Sequence, residues 1–106
     1  MAVQGPLGYR VVYSGRHREQ VQRLGERALA AGLALDCGES LQSMNDALSR
    51  DPTSWGDPQN RLAHVEWTIY HRIHWYFNIY YAVDEANRTV YLKDILALPS
   101  SPLAGT

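Results

Sequence analysis

The chain has 106 residues, of which 45% are hydrophobic and 20% are charged, a composition typical of one soluble globular domain rather than a two-domain enzyme. Ten basic residues oppose eleven acidic ones, so the formal net charge of -1 provides no global field for nucleic acid. The single cysteine, Cys37, excludes an internal disulfide and a zinc site built from thiolates.

The charges are distributed unevenly along the chain. Residues 1–35 carry five Arg and two Glu, whereas residues 36–60 carry one Arg and five acidic residues. Any anion-binding surface is therefore expected to be local. No apolar run approaches the roughly 18 residues that span a bilayer, and the first residues lack the pattern of a secretory signal. We therefore expect a cytoplasmic protein that makes no membrane contact.

The first predicted elements are a short strand and a helix. Residues 9–14 are rich in β-branched and aromatic types and lie between two glycines, which predicts a strand. Ser14 is placed to cap a helix that continues to about Gly32, because apolar residues recur at spacings of three and four. His17 falls in the first turn of this helix, where we expect it to be solvated.

A second helix is predicted from a possible reciprocal capping pair. Asp36 is followed three residues later by Glu39, and apolar residues then recur on one face until Pro52 ends the helix. Residues 51–60 contain two Pro, a Gly, Asp and Asn, so we expect them to form a loop.

The second half of the chain has the composition of a sheet. Residues 64–84 are dominated by aromatic and β-branched types, and their length requires a reversal, which we place between Arg72 and Trp75. Residues 84–87 predict a hairpin turn, and residues 88–96 predict the last strand.

This order, β-α-α-β-β-β, predicts an α+β fold in which a helical hairpin packs on one face of a mostly antiparallel four-stranded sheet. Two consecutive helices with short connections do not readily cover opposite faces, so the other face is expected to stay open. We expect a single domain over residues 1–106, with frayed ends at residues 1–7 and 97–106.

Alternation along the strands predicts which side chains face the helices. The expected covered set is Val65, Trp67, Ile69, Phe77, Ile79, Tyr81 and Val83. The expected open set is Glu66, Thr68, Tyr70, Tyr76, Asn78 and Tyr80.

Residues 76–95, YFNIYYAVDEANRTVYLKDI, together with this order of elements, resemble the RelE/ParE superfamily of bacterial toxins from type II toxin–antitoxin pairs. The resemblance implies a compact domain that an antitoxin segment wraps and neutralises. It also implies one of two targets: RelE-like members cleave messenger RNA on the ribosome, whereas ParE-like members poison DNA gyrase. The expected partners are therefore a cognate antitoxin and either ribosome-bound mRNA or gyrase.

The resemblance carries over to individual positions only in part. Where RelE-like nucleases have a basic residue on the strand before the reversal, this chain has His71 or Arg72. It has Asn78 where those nucleases have an Arg early in the next strand. Those nucleases usually carry a further Arg and Tyr after the last strand, and residues 97–102 contain neither.

RNA cleavage by side chains alone needs a base for the 2′-hydroxyl, a cation for the transition state and an acid for the leaving oxygen. The candidate catalytic residues for these roles are Arg72, His74, Tyr76 and Lys93. The same residues also fit an ordinary half-solvated strand surface. Two alternatives therefore remain open: a catalytically silent protein-interaction domain, and an RNA-binding sheet on which Tyr70, Tyr76 and Tyr80 stack bases.

We predict neither a metal nor a small-molecule cofactor. His71 and His74 are three residues apart, so on one strand they point to opposite faces, and they share an ion only if the reversal falls between them. Cys37 is expected to be structural. Three arginines share one face of the first helix: Arg16, Arg23 and Arg27. This face is expected either to be solvated or to bind phosphates or an acidic antitoxin tail.

Overall fold

The computed structural model describes residues 8–104, and the predicted fraying of residues 1–7 lies outside this range. In chain order, the elements are β1 (Arg10–Val12), α1 (Gly15–Ala30), α2 (Ala34–Arg50), α3 (Pro52–Trp55), β2 (Asp57–Leu62), β3 (Trp67–His74), β4 (Phe77–Asp84) and β5 (Thr89–Ala97). They form the predicted α+β fold. None of the described helices has the length and apolar character needed to cross a membrane.

The five strands form one mixed sheet in the order β1-β5-β4-β3-β2. β1 runs parallel to β5, and the other three pairings are antiparallel. The predicted count of four strands was wrong because β2 begins at Asp57, inside the segment 51–60 that was expected to be a loop. β2 is almost entirely exposed, contains Pro58 and has a register irregularity between Pro58 and Asn60. It is an edge strand that forms through its hydrogen bonds to β3. Its own residues show no alternation of apolar and polar side chains.

Helix α1 begins and ends as its sequence predicts. The Ser14 hydroxyl oxygen accepts a hydrogen bond from the His17 amide at 3.3 Å, and Gly32 adopts φ 78° just after the helix. The prediction for α2 was wrong at its start. This helix begins at Ala34, two residues before Asp36, and no side chain caps it.

Both long helices pack on the same face of the sheet. Their buried side chains and those of β4 belong to one core cluster, which contains Leu24, Ala28, Cys37, Met44, Leu48, Phe77, Ile79, Tyr81 and Val83. The four β4 residues in this cluster are the ones predicted to face the helices.

The predicted faces of β3 were wrong. His74 pairs with Phe77, Arg72 with Ile79 and Tyr70 with Tyr81, so these β3 side chains share the helix-covered face. Trp67 and Ile69 therefore lie on the opposite face. The cause is a two-residue turn at Trp75 and Tyr76, in which Trp75 adopts φ 57°.

The described part of the C-terminal segment does not fray. Ala97 pairs with Phe77 in the sheet, and Leu103 is 0% exposed in the core. The Arg27 guanidinium donates hydrogen bonds to the carbonyl oxygens of Leu103 at 3.3 Å and Ala104 at 3.4 Å. The prediction of a frayed end at residues 97–106 was therefore wrong as far as Ala104.

His17 is also buried rather than solvated. Its Nε2 donates to the carbonyl oxygen of Lys93, and its Nδ1 lies 2.7 Å from the Ser14 hydroxyl oxygen. These contacts hold the start of α1 against β5 at Lys93. This position lies beyond the three residues of β5 that pair with the short strand β1.

Candidate functional site

The face of the sheet opposite the helices is uncovered within residues 8–104. We call it the open sheet face and define it by the register of β3, β4 and β5. It consists of Trp67, Ile69, His71, Ile73, Asn78, Tyr80, Ala82, Tyr91, Asp94 and Leu96. Most of these residues are aromatic or apolar, which is unusual for a solvated sheet surface.

A stacked aromatic pair spans the central strand at one end of this face. The rings of Trp67 and Tyr91 are 4.6 Å apart with an interplanar angle of 16°. Their strands lie on either side of β4, so the two rings meet above it. Ala82 lies in this part of β4 and is 0% exposed. Its small side chain leaves room for the stack, and a larger residue there would force the rings apart.

The middle of the face is a polar–aromatic row. His71, Tyr80 and Asp94 are register partners on three adjacent strands. The His71 ring lies 4.5 Å from the Tyr80 ring, and its Nε2 donates to Oδ1 of Asn78. These contacts hold the imidazole in a fixed position on the sheet.

The other end of the face is apolar and exposed. Ile73, Asn78 and Leu96 form a row across three strands, in which Ile73 is 56% exposed and Leu96 is 46% exposed. Such side chains contact water in the isolated chain and lose that contact when a partner packs on them.

The residues that define the open sheet face include neither Lys nor Arg, but Arg10 of the edge strand β1 lies on the same side of the sheet, because it pairs with Thr89, the partner of Asp84. Asp94 on this face accepts a hydrogen bond from Arg16 at 3.0 Å. Arg16 and Arg27 of the predicted basic helix face are thus engaged within the chain itself. A face that has no cation at its centre is poorly suited to a phosphate backbone.

Two of the four predicted catalytic residues lie together on the other face. The Arg72 guanidinium lies 5.1 Å from the centre of the Trp55 ring, and its Nη1 donates to the Trp55 carbonyl oxygen at 2.6 Å. The Trp55 and His74 rings are 5.3 Å apart in an edge-on arrangement. We call Trp55, Arg72 and His74 the Trp55 cluster.

His74 in this cluster is held by a backbone contact. Its Nε2 lies 3.2 Å from the Ser40 carbonyl oxygen, to which it donates. Burial lowers the pKa of His74 below its usual value, partly opposed by this hydrogen bond. Nε2 is therefore occupied by a helix carbonyl, and Nδ1 is the ring nitrogen that keeps a lone pair.

Tyr76 and Lys93 do not join the Trp55 cluster. Tyr76 lies in the β3–β4 turn with its ring 4.8 Å from that of Trp75. Lys93 is the extra residue at the β5 bulge, where its side chain is exposed, and β4 separates its strand from β3. The four residues proposed for RNA cleavage therefore do not form one constellation.

The histidines of β3 face opposite sides, as predicted from their spacing. His71 contacts Asn78 on the open sheet face, and His74 contacts Ser40 on the helix side. Within residues 8–104, no group of three or more His, Cys, Asp or Glu side chains is arranged to hold a metal ion.

The predicted aromatic platform differs from the observed one. Tyr70 is buried against the helices, where its ring stacks on Tyr81 at 5.3 Å. The half-buried Trp67 and Tyr91 lie on the open sheet face instead, and sequence reasoning missed them. Only the strand register identifies this pair, because the two residues lie 24 positions apart on strands that are not neighbours.

Comparisons of the chain with protein-family models, with curated proteins and with solved structures found no match. The site is therefore interpreted from its own geometry.

Proposed function

We propose that this protein is the toxin-like component of a two-protein toxin–antitoxin pair, and that it acts by binding a protein through the open sheet face. The observation that carries the proposal is a helical hairpin on one side of the sheet and an uncovered aromatic and apolar surface on the other. The likeness of residues 76–95 to RelE/ParE toxins supports the same interpretation. The proposed targets are the translation machinery and DNA gyrase.

The open sheet face is better suited to binding a protein than to binding or cleaving RNA. Cations border the open sheet face only at its edge, where Arg10 lies on β1 and Arg16 is already paired with Asp94. In the Trp55 cluster, Arg72 and His74 both donate to backbone carbonyls, and Tyr76 and Lys93 lie elsewhere. These contacts favour a catalytically silent interaction domain on a toxin-like scaffold.

Growth of a bacterial host that expresses the chain alone tests the proposal. We expect growth arrest, relieved by coexpression of the adjacent open reading frame, which would encode the antitoxin. Normal growth at high expression would count against toxin function.

A matched pair of variants locates the binding surface. Ile73→Asp together with Leu96→Asp places two carboxylates on exposed positions of the open sheet face, so folding should be little affected. Burying unpaired carboxylates should weaken partner binding at least about 100-fold and abolish arrest. Leu35→Asp, at a position that is 85% exposed near the start of α2, is the control and should keep arrest. If both variants arrest growth equally, the open sheet face is not the binding surface.

RNA cleavage is the second candidate, because Arg72 and His74 meet at Trp55. Purified protein incubated with ribosome-bound messenger distinguishes the two. Cleavage that Arg72→Ala abolishes would establish the nuclease and refute a silent domain. Strongly salt-dependent RNA binding without cleavage would instead indicate an RNA-binding sheet.

A further inference from the structure

A cavity of about 550 Å³ that opens widely to solvent lies beside the first strand, and none of its lining residues is on β3, β4 or β5. Its polar lining comprises Arg10, Asn45, Ser49 and Arg88, and Tyr9 forms an apolar wall. A volume of this size is in the range of small-molecule sites. The toxin-like proposal assigns no role to these residues.

Arg88 is held in place at this cavity by weak contacts. Its guanidinium carbon lies 4.1 Å from the centre of the Tyr9 ring. Its Nε and Nη1 lie 3.4 Å from the Gly8 carbonyl oxygen and the Tyr9 hydroxyl. Stacking fixes the plane of the guanidinium, while these long hydrogen bonds leave it able to bind a stronger acceptor.

No carboxylate side chain neutralises Arg88. The ion pair between Arg16 and Asp94 is the one salt bridge found within residues 8–104, and residues 1–7 contain neither Asp nor Glu. Arg88 is only partly exposed, so its charge is less well solvated than that of a surface arginine. A bound anion would supply the missing counter-charge.

The rest of the lining also favours an anion. Oδ1 of Asn45 accepts a hydrogen bond from the Tyr13 hydroxyl at 2.9 Å, which leaves the Asn45 amide group as a donor. The Ser49 carbonyl near the end of α2 accepts from the Tyr9 amide at 2.8 Å, so this carbonyl is already satisfied. Arg10 also lines the cavity, but its pairing with Thr89 directs its side chain to the opposite face of the sheet, so the lining offers the Arg88 guanidinium and the Asn45 amide, and none of its residues is acidic.

We propose that this cavity binds the phosphate group of a small phosphate monoester, with Arg88 as its principal contact. A phosphate monoester carries a charge of about -1.5 to -2 at pH 7, which complements the Arg88 guanidinium. A guanidinium donates two parallel hydrogen bonds to phosphate oxygens. The cavity is several times larger than a phosphate ion, so the organic part of the ester is accommodated as well.

Titration of the full chain with inorganic phosphate, followed by backbone amide NMR at constant ionic strength, tests the proposal. Adenosine 5′-monophosphate and acetate are titrated in parallel. We expect saturable shifts at Tyr9, Asn45 and Arg88 with both phosphates, and tighter binding of the monoester. No saturable shift at these residues up to about 10 mM monoester would overturn the proposal. Equal affinity for acetate would overturn the assignment to phosphate.

Arg88→Asn is the diagnostic variant. Arg88 adopts φ 51°, and asparagine tolerates this conformation, so the turn should be retained. We expect phosphate affinity to fall about tenfold or more, because a charge-assisted contact is lost. Asn45→Ala should also weaken binding, because it removes the second donor of the lining, and serves as a second variant if Arg88→Asn unfolds. Arg23→Gln removes the same charge from the exposed face of α1 and should bind as the natural chain does. Unchanged affinity in both cavity variants would refute the site.

Discussion

Replacing Gly56 with alanine tests how tightly the segment that follows Trp55 packs against the sheet. A Cβ atom at Gly56 would lie 2.7 Å from the Tyr81 hydroxyl oxygen and 3.0 Å from the His71 carbonyl oxygen. The backbone φ of -108° suits alanine, so the cost is steric alone. The Tyr81 ring does not move away freely, because its hydroxyl donates to the Pro52 carbonyl at 2.5 Å.

We expect Gly56→Ala to lower the free energy of unfolding by about 2 kcal/mol, as overpacking of a buried site does. For a chain of this length, that corresponds to a fall in Tm of about 9 °C. Urea and thermal unfolding followed by circular dichroism measure both quantities. Gly38→Ala is the control: no atom lies within 4 Å of its added Cβ, and alanine inside α2 should raise stability by about 0.5–1 kcal/mol.

A double variant separates the two contacts at Gly56. Tyr81→Phe removes the nearest atom, and alone it should cost about 1 kcal/mol through the lost hydrogen bond. Combined with Gly56→Ala, it should cost less than the sum of the two single changes, because part of the clash is gone. Unfolding of Gly56→Ala at or above the temperature of the natural chain would refute this account of the packing.

Three further predictions concern buried groups outside the open sheet face. Burial lowers the pKa of His74, so the unfolded chain takes up the proton first, and stability should fall as pH drops below about 6.5. Urea unfolding measured between pH 7.5 and 5 should show a smaller loss of stability for His74→Phe than for the natural chain. His17→Ala should cost about 1–3 kcal/mol by leaving the Lys93 carbonyl without its donor, and a loss no larger than that of Ser14→Ala would contradict this. Burial raises the pKa of Cys37, which is 2% exposed, so a thiol reagent should label it at neutral pH only after unfolding.

The sequence was sufficient for elements whose signals are local. Ser14 caps α1 through its own side chain, and Gly32 supplies the positive φ that follows this helix. Alternation from Phe77 to Val83 identifies the buried face of β4 because that strand lies at the centre of the sheet. β2 has no such signal: its polar residues are in a strand because β3 offers them hydrogen-bonding partners.

The faces of β3 could not be read from the strand alone. They depend on the number of residues in the turn, since one residue more or less exchanges every side chain between the two faces. The turn at Trp75 and Tyr76 contains neither glycine nor asparagine, although Trp75 has a positive φ. The usual sequence signal of a tight hairpin is therefore absent. The C-terminal segment was missed for a similar reason, because Leu103 is buried by α1 and the sheet rather than by its own neighbours in sequence.

The length of the β3–β4 turn determines which side chains of β3 lie on each face of the sheet. With two residues in the turn, Arg72 and His74 lie on the helix side, and Ile69, His71 and Ile73 lie on the open sheet face. A three-residue turn would reverse both sets and place the guanidinium and imidazole on the open side, where the predicted nuclease needs them. The observed register removes the cation from that surface and leaves apolar side chains in its place. A protein partner is the ligand that such a surface fits, because burying Ile73 favours binding without requiring a phosphate to be neutralised.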